Sequence, residues 1–181
     1  MEKIKLNSNK LNDDIYTVYK ARAILFNNYG EILVANYNGI YMLPGGKLDE
    51  GENFDCCILR EVKEETGNEL YFYDIYPFLE IASYQKDFPD RRVGITDRKV
   101  VTRYYESGVF VDDFYAQELS LSEIENNFSL DFYSLDGLKD LLLTNDTSNP
   151  RNSYFTEELL EVLKYVSVPK NIINKSKVRC R

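Results

Sequence analysis

The chain has 181 residues, 44% hydrophobic and 29% charged, with a formal net charge of −8, enough for one core of ordinary size and a poor electrostatic match to DNA, RNA or anionic membranes. It contains no histidine, which removes Ser-His-Asp and Cys-His catalysis and histidine-ligated zinc together. Three cysteines, Cys56, Cys57 and Cys180, form no C-x-x-C spacing and, being odd in number, no disulfide framework.

Met1 to Asp14 is polar and Asn/Lys-rich, with no apolar stretch of the kind that marks a signal peptide. Residues 1–15 are therefore expected as a loose lead-in or a short edge element of a cytoplasmic protein. From Tyr16 to Phe26 the β-branched and aromatic residues predict a strand, Asn27-Asn28-Tyr29-Gly30 a hairpin turn, and Glu31 to Asn36 the returning strand. Asn38-Gly39 turns again, and Ile40 to Leu43 leads into Pro44-Gly45-Gly46, a bend whose glycines leave backbone groups open to a metal or a phosphate.

Between Asn53 and Glu65 there is no Gly or Pro, and Phe54, Ile58, Leu59 and Val62 recur at helical spacing, which predicts an amphipathic helix stopped by Gly67. At roughly 100° per residue, Glu61, Glu64 and Glu65 fall on one stripe of that helix. Like charges so placed repel. Arg60, four residues before Glu64, neutralises part of the cluster, and a hard divalent cation with oxygen ligands would neutralise the rest, Mg2+ fitting best and Mn2+ being its substitute. The competing interpretation is a plain solvated charged face.

Leu70 to Tyr84 reads as one long or two short strands, with Pro77 at a bulge or edge. Gln85 to Asp97 reads as a flap-like loop whose Lys86, Arg91 and Arg92 either meet substrate phosphates or serve solubility. Lys99 to Val111 is a strand interrupted at Ser107-Gly108, and Asp112 to Asn127 an acidic loop with a helical piece near Ser120 to Glu125. Phe132 to Leu135 is expected as a last short strand, Asp136 as the cap of a helix through Leu138 to Leu143, and Thr156 as the cap of a final helix with Leu159, Leu160, Leu163 and Val166 on its apolar stripe. Ser167 to Arg181 carries five bases and no acid, a basic tail that is disordered, docks on its own protein or touches a polyanion. The expected division is 1–15 lead-in, 16–166 domain, 167–181 tail. Strands mixed with a few helices give an α/β sandwich around a mixed sheet.

The segment Gly46 to Gly67 reads G-x5-E-x7-R-E-(aliphatic)-x-E-E-x-G and resembles the signature of the Nudix hydrolase family (MutT-like), enzymes that cleave nucleoside diphosphates linked to another group. Asn68 departs from it, standing where the family has an aliphatic residue, so the local packing is in question there. The resemblance implies an α/β/α sandwich, Mg2+ held by Glu61, Glu64 and Glu65 with a carbonyl from Gly45 or Gly46, and supporting roles for Arg60, which orients the glutamates, and Glu52, which braces the loop. It also implies a general base on the loop after the third long strand, where Glu118, Glu123 and Glu125 stand, with Glu123 or Glu125 the nearer to the following aromatic segment. Lys47, Tyr84, Arg91 and Arg92 are the candidate substrate contacts. Tyr84 occupies the place of a tyrosine in families acting on dinucleoside polyphosphates, and Ser83 that of a proline in families acting on ADP-ribose.

Together these readings give a hydrolase of a phosphoanhydride in a nucleoside triphosphate, an oxidised nucleotide or a dinucleoside polyphosphate, monomeric or homodimeric. A nucleotide sensor without turnover, an RNA 5′-pyrophosphohydrolase and a purely structural cation site are the alternatives. The acidic body, lacking a continuous basic track, disfavours RNA.

Overall fold

The computed structural model describes residues 1–8, 14–90 and 93–169. Its centre is strand β2, Thr17–Phe26, whose side chains alternate between two apolar clusters. Ala21, Ala23 and Leu25 point to one face, where helix α1, Phe54–Thr66, lays down Cys57, Ile58 and Val62. Ile24 and Phe26 point to the other, where α3, Leu135–Thr144, and α4, Pro150–Val162, supply Leu138, Leu142, Leu159 and Val162. A strand buried on both faces between helical layers is the expected α/β/α sandwich.

The sheet runs β1 (Glu2–Leu6), β6 (Ile75–Asp90), β7 (Gly94–Phe110), β2, β3 (Ile32–Tyr37), β4 (Ile40–Met42), with β5 (Gly45–Lys47) beside β2 and β8 (Phe128–Tyr133) beside β3. Pairs β1/β6 and β2/β7 are parallel and the others antiparallel, so the sheet is mixed. Part of the lead-in is thus an edge strand, and the glycine bend is itself a short strand.

The described part of 85–97, expected as a flap-like loop, instead prolongs the β6/β7 pairing, with Phe88, Pro89 and Asp90 opposite Thr96, Ile95 and Gly94. A register shift between Gln85 and Phe88, with Asp87 at φ 51°, breaks the alternation that would have marked a strand. Strand β7 continues through Ser107-Gly108, but its pairing with β2 shifts register there, between Ile24 opposite Glu106 and Phe26 opposite Phe110. The bulge at Pro77 is present. Arg91, Arg92, Cys180 and the basic residues of the tail lie outside the described residues.

Helix α1 is capped by Asn53, whose side chain accepts from the Cys56 amide at 2.8 Å, and ends at Gly67 with φ 71°. The chain after β7 closes its far end. Tyr115 and Glu118 amides donate to the Thr66 and Glu64 carbonyls at 3.0 and 2.8 Å, satisfying groups a helix end leaves open. Asn68 sits in this junction and donates to the Asp113 carbonyl at 2.9 Å, so the position is bridged by hydrogen bonds where an aliphatic residue would pack.

Two caps differ from expectation. Helix α3 is capped by Ser134, two residues ahead of Asp136, and α4 by Asn149 with Pro150 at its first position, which leaves Thr156 inside the helix. A proline is well suited to that first position, since its missing N–H would have had no partner.

Candidate active site

The turn before α1 is fixed by close approach. A Cβ on Gly45, which sits at φ 130°, would lie 2.2 Å from the Ala21 carbonyl oxygen, and one on Gly46 would lie 2.3 Å from Glu61 Oε1. Real side chains do not fit at either distance. The Gly45 amide donates to Glu65 Oε2 at 2.8 Å. Beneath the turn the buried guanidinium of Arg22 donates through Nη1 to the carbonyl of Leu43, and to that of Gly45 at 3.2 Å. The Gly46 carbonyl faces a weaker donor, the Cys57 thiol at 3.8 Å.

Helix α1 brings its glutamates to this turn. Glu61 and Glu65 are only 9% and 5% exposed. Burial raises the pKa of both, that of Glu65 well above the usual carboxylate range; Arg60 offsets the rise only in part at Glu61, as the Gly45 amide and Arg22 do at Glu65. A buried carboxylate without a full counter-charge is the setting that a bound cation relieves.

Arg60 spans the surface of the cluster. Its Nη2 and Nε donate to Glu52 at 2.8 and 3.0 Å, and its Nη1 to Glu61 at 2.9 Å and Glu64 at 3.2 Å. The hydrogen bonds from Arg60 hold the Glu52 carboxyl below its ordinary range. Glu52 also accepts from the Asp49 amide at 3.0 Å, tying the loop to the helix. Of the two nearer candidate bases, Glu123 lies in α2, Leu121–Glu125, in a capping box with Ser120, and lines the cleft. Glu125 is exposed and outside it.

The cleft encloses about 600 Å3 and is lined by Gly45, Gly46, Glu61, Glu64, Glu65 and Glu123 on its acidic side. Among the described residues, no three acidic or cysteine side chains converge as a ready-made cation cage. The donors still suit Mg2+, which takes one or two carboxylates and completes its shell with water and substrate oxygens. Lys47 lines the cleft. Tyr84 does not serve as expected: it is 2% exposed, on a β6 face that packs inward, with the Lys99 ammonium 5.8 Å from its ring.

The opposite wall went unread in the sequence. It consists of Lys20, Arg22, Arg151 and Phe155. Its signal was present in β2, where Lys20 and Arg22 interrupt an otherwise apolar strand two residues apart and so share a face.

A mixed sheet between helices, with a glycine turn meeting the carboxylates of the first helix in one cleft, is the frame of the Nudix class. A family model of the NUDIX domain matches residues 17–155, and the chain belongs to that family. The Nudix hydrolase 10 of Arabidopsis thaliana is 44% identical over 43 residues, 24% of this chain and 16% of that protein. An 8-oxo-dGTP diphosphatase of Proteus vulgaris is 31% identical over 64 residues, 35% of this chain and 53% of that protein. The chain thus spans about a sixth and about half of the length of these curated relatives. Among solved structures, the NUDIX domain of Shewanella oneidensis NrtR, complexed with ADP ribose, superposes with TM-score 0.53 at 17% identity, over 87% of this chain and 94% of that one. A MutT structure from work on the Aliivibrio salmonicida and Vibrio cholerae proteins gives 0.51 at 14% identity, over 83% and 98%. At such identities the likeness concerns the fold. Among the described residues no helix is long and apolar enough to cross a membrane.

Proposed function

We propose that the chain is a Mg2+-dependent pyrophosphohydrolase that cleaves a phosphoanhydride in a nucleoside diphosphate derivative. The observation that carries this reading is the pair of buried carboxylates, Glu61 and Glu65, facing the Gly45-Gly46 turn in one open cleft. Membership of a family whose hydrolases generally use divalent metal ions supports it, as does the resemblance to a protein named for 8-oxo-dGTP hydrolysis.

In this reading Glu61, Glu64 and Glu65 would hold the cation with a backbone carbonyl from Gly45 or Gly46. The cation, when bound, supplies charge neutralisation on the phosphates and polarises the bond that breaks. Arg60 keeps the glutamates apart and oriented while Glu52 anchors Arg60 to the loop. Glu123 accepts a proton from the attacking water as its oxygen bonds to phosphorus. The bridging P–O bond then breaks, and its electron pair leaves on the departing phosphate. Lys47 and the basic wall opposite hold substrate phosphates.

Product analysis of a panel of triphosphates, 8-oxo-dGTP, dinucleoside polyphosphates, ADP-ribose and triphosphorylated RNA, with and without Mg2+, tests this. Mg2+-dependent cleavage of at least one nucleotide is expected. No cleavage, with nucleotides nevertheless raising the melting temperature, would replace the hydrolase with a nucleotide-binding sensor.

A further inference from the structure

Beside the cleft lies a second cavity of about 230 Å3, bounded by Tyr16, Val18 and Lys20 of the β2 region, Lys47 of β5, the β6/β7 hairpin and the first turns of α4. Its lining holds four cations, Lys20, Lys47, Arg98 and Arg151, and one carboxylate, Asp90, which pairs with Arg98 Nη1 at 3.2 Å. None of the cleft glutamates lines it. This concentration of positive charge stands in a chain whose formal net charge is −8.

The cations are held there against their own repulsion. Lys20 and Lys47 face each other directly across the β2/β5 pair, an arrangement that is unfavourable without an anion between them. Burial and the neighbouring Arg22 and Arg98 bring the Lys20 ammonium down to a pKa of about 7. The two phenylalanines do not offer open faces to a nucleobase. The Arg98 guanidinium lies 3.4 Å from the centroid of Phe88, and the Lys20 ammonium 4.9 Å from that of Phe155. These rings seat cations. The lining is thus dominated by cationic donors, which suit a phosphate with its several acceptor oxygens and up to two charges.

We infer that this cavity receives a phosphate group carried by the substrate outside the diphosphate that is cleaved, so that the substrate is a nucleotide derivative anionic at two separate points. The inference rests on the hydrolase reading for its site of cleavage. Two sources share this chemistry: a phosphomonoester on a ribose, and the distal phosphates of a longer chain.

Matched pairs separate them. ADP-ribose against its 2′-phosphate reports a ribose monoester, and ATP against adenosine 5′-tetraphosphate a longer chain. Each pair is compared in kcat/KM with Mg2+ and in calorimetric binding with no divalent cation, on wild type, Lys20→Met, Arg151→Met and Lys20→Arg. The expected result is a preference of about tenfold or more for the more phosphorylated member of at least one pair, the range of a charge-assisted hydrogen bond. The preference should collapse in the two methionine variants and survive in Lys20→Arg, with melting curves establishing that each variant is folded. Equal treatment of both members in both pairs, or a preference untouched by the methionine variants, overturns the inference. Turnover without discrimination leaves the hydrolase standing and removes this site. Discrimination in binding without turnover does the reverse.

Discussion

The amide of Gly45 donates to the carboxylate of Glu65, twenty residues on, at 2.8 Å, joining the glycine turn to the helix that follows it. The bond holds a carboxylate in a place where burial disfavours its charge, and this has a pH signature. The folded-state pKa values of Glu61 and Glu65 are raised, so the folded protein binds more protons than the unfolded chain above the ordinary carboxylate range. Their contribution to stability is therefore lost as pH rises toward the folded values. In chelator, the melting temperature of wild type should decline over that window, and Glu65→Gln, which keeps an acceptor for Gly45 without the charge, should flatten the decline and raise the melting temperature at neutral pH. A variant less stable than wild type at neutral pH would contradict the account.

Arg60 contacts Glu52, Glu61 and Glu64 at once. Lysine carries the charge but not the planar fork. Arg60→Lys should weaken divalent-cation binding by on the order of tenfold to a hundredfold, as loss of a group orienting metal ligands does. Calorimetric titration with Mg2+ or Mn2+ reads this, and unchanged affinity would remove the orienting role.

A side chain at Gly46 would displace Glu61. A methyl there would stand 2.3 Å from Glu61 Oε1, so Gly46→Ala must push the Glu61 carboxylate off the cleft floor. Hydrolysis should fall at least about a hundredfold, since loss of metal-assisted charge stabilisation amounts to several kcal/mol. Cleavage at the wild-type rate would show that Glu61 is not needed where it stands.

Lys20 predicts a pH dependence of its own. It faces Arg22 on its own strand, Lys47 on β5, Arg98 on β7, and Arg151 and Glu158 on α4, Glu158 being also bonded to the Tyr104 hydroxyl. Bound phosphate favours the ammonium, so affinity for the phosphate-bearing ligand of each pair should fall as pH rises through about 7, with proton uptake on binding above it. Lys20→Arg, charged throughout, should bind with a flat profile over the same range. A wild-type profile as flat as that of the arginine variant would exclude Lys20 from the contact.

Helix α1 was legible because its evidence is local: an apolar period and a stop within one stretch, with Arg60 and the glutamates spaced along it. The first hairpin was legible for the same reason, its turn being written in Asn27-Asn28-Tyr29-Gly30. The basic wall was not, because Lys20, Arg98 and Arg151 are distant in sequence and meet only through the parallel pairing of β2 with β7 and the packing of α4 on the sheet. Tyr84 was misassigned because a position counted from the motif says nothing about which face of β6 it occupies. Residues 85–97 misled because Asp87, at φ 51°, interrupts the alternation that signals a strand.

The most direct test of the central claim is the rate of phosphoanhydride cleavage by Glu64→Gln against wild type, on the best substrate of the panel, over a titration of Mg2+. The account predicts that wild type is inactive in chelator and saturates with Mg2+, while Glu64→Gln stays at least about a hundredfold slower at every concentration, the scale of several kcal/mol of metal-assisted stabilisation. Cleavage by wild type in chelator, or a variant as fast as wild type, would contradict it.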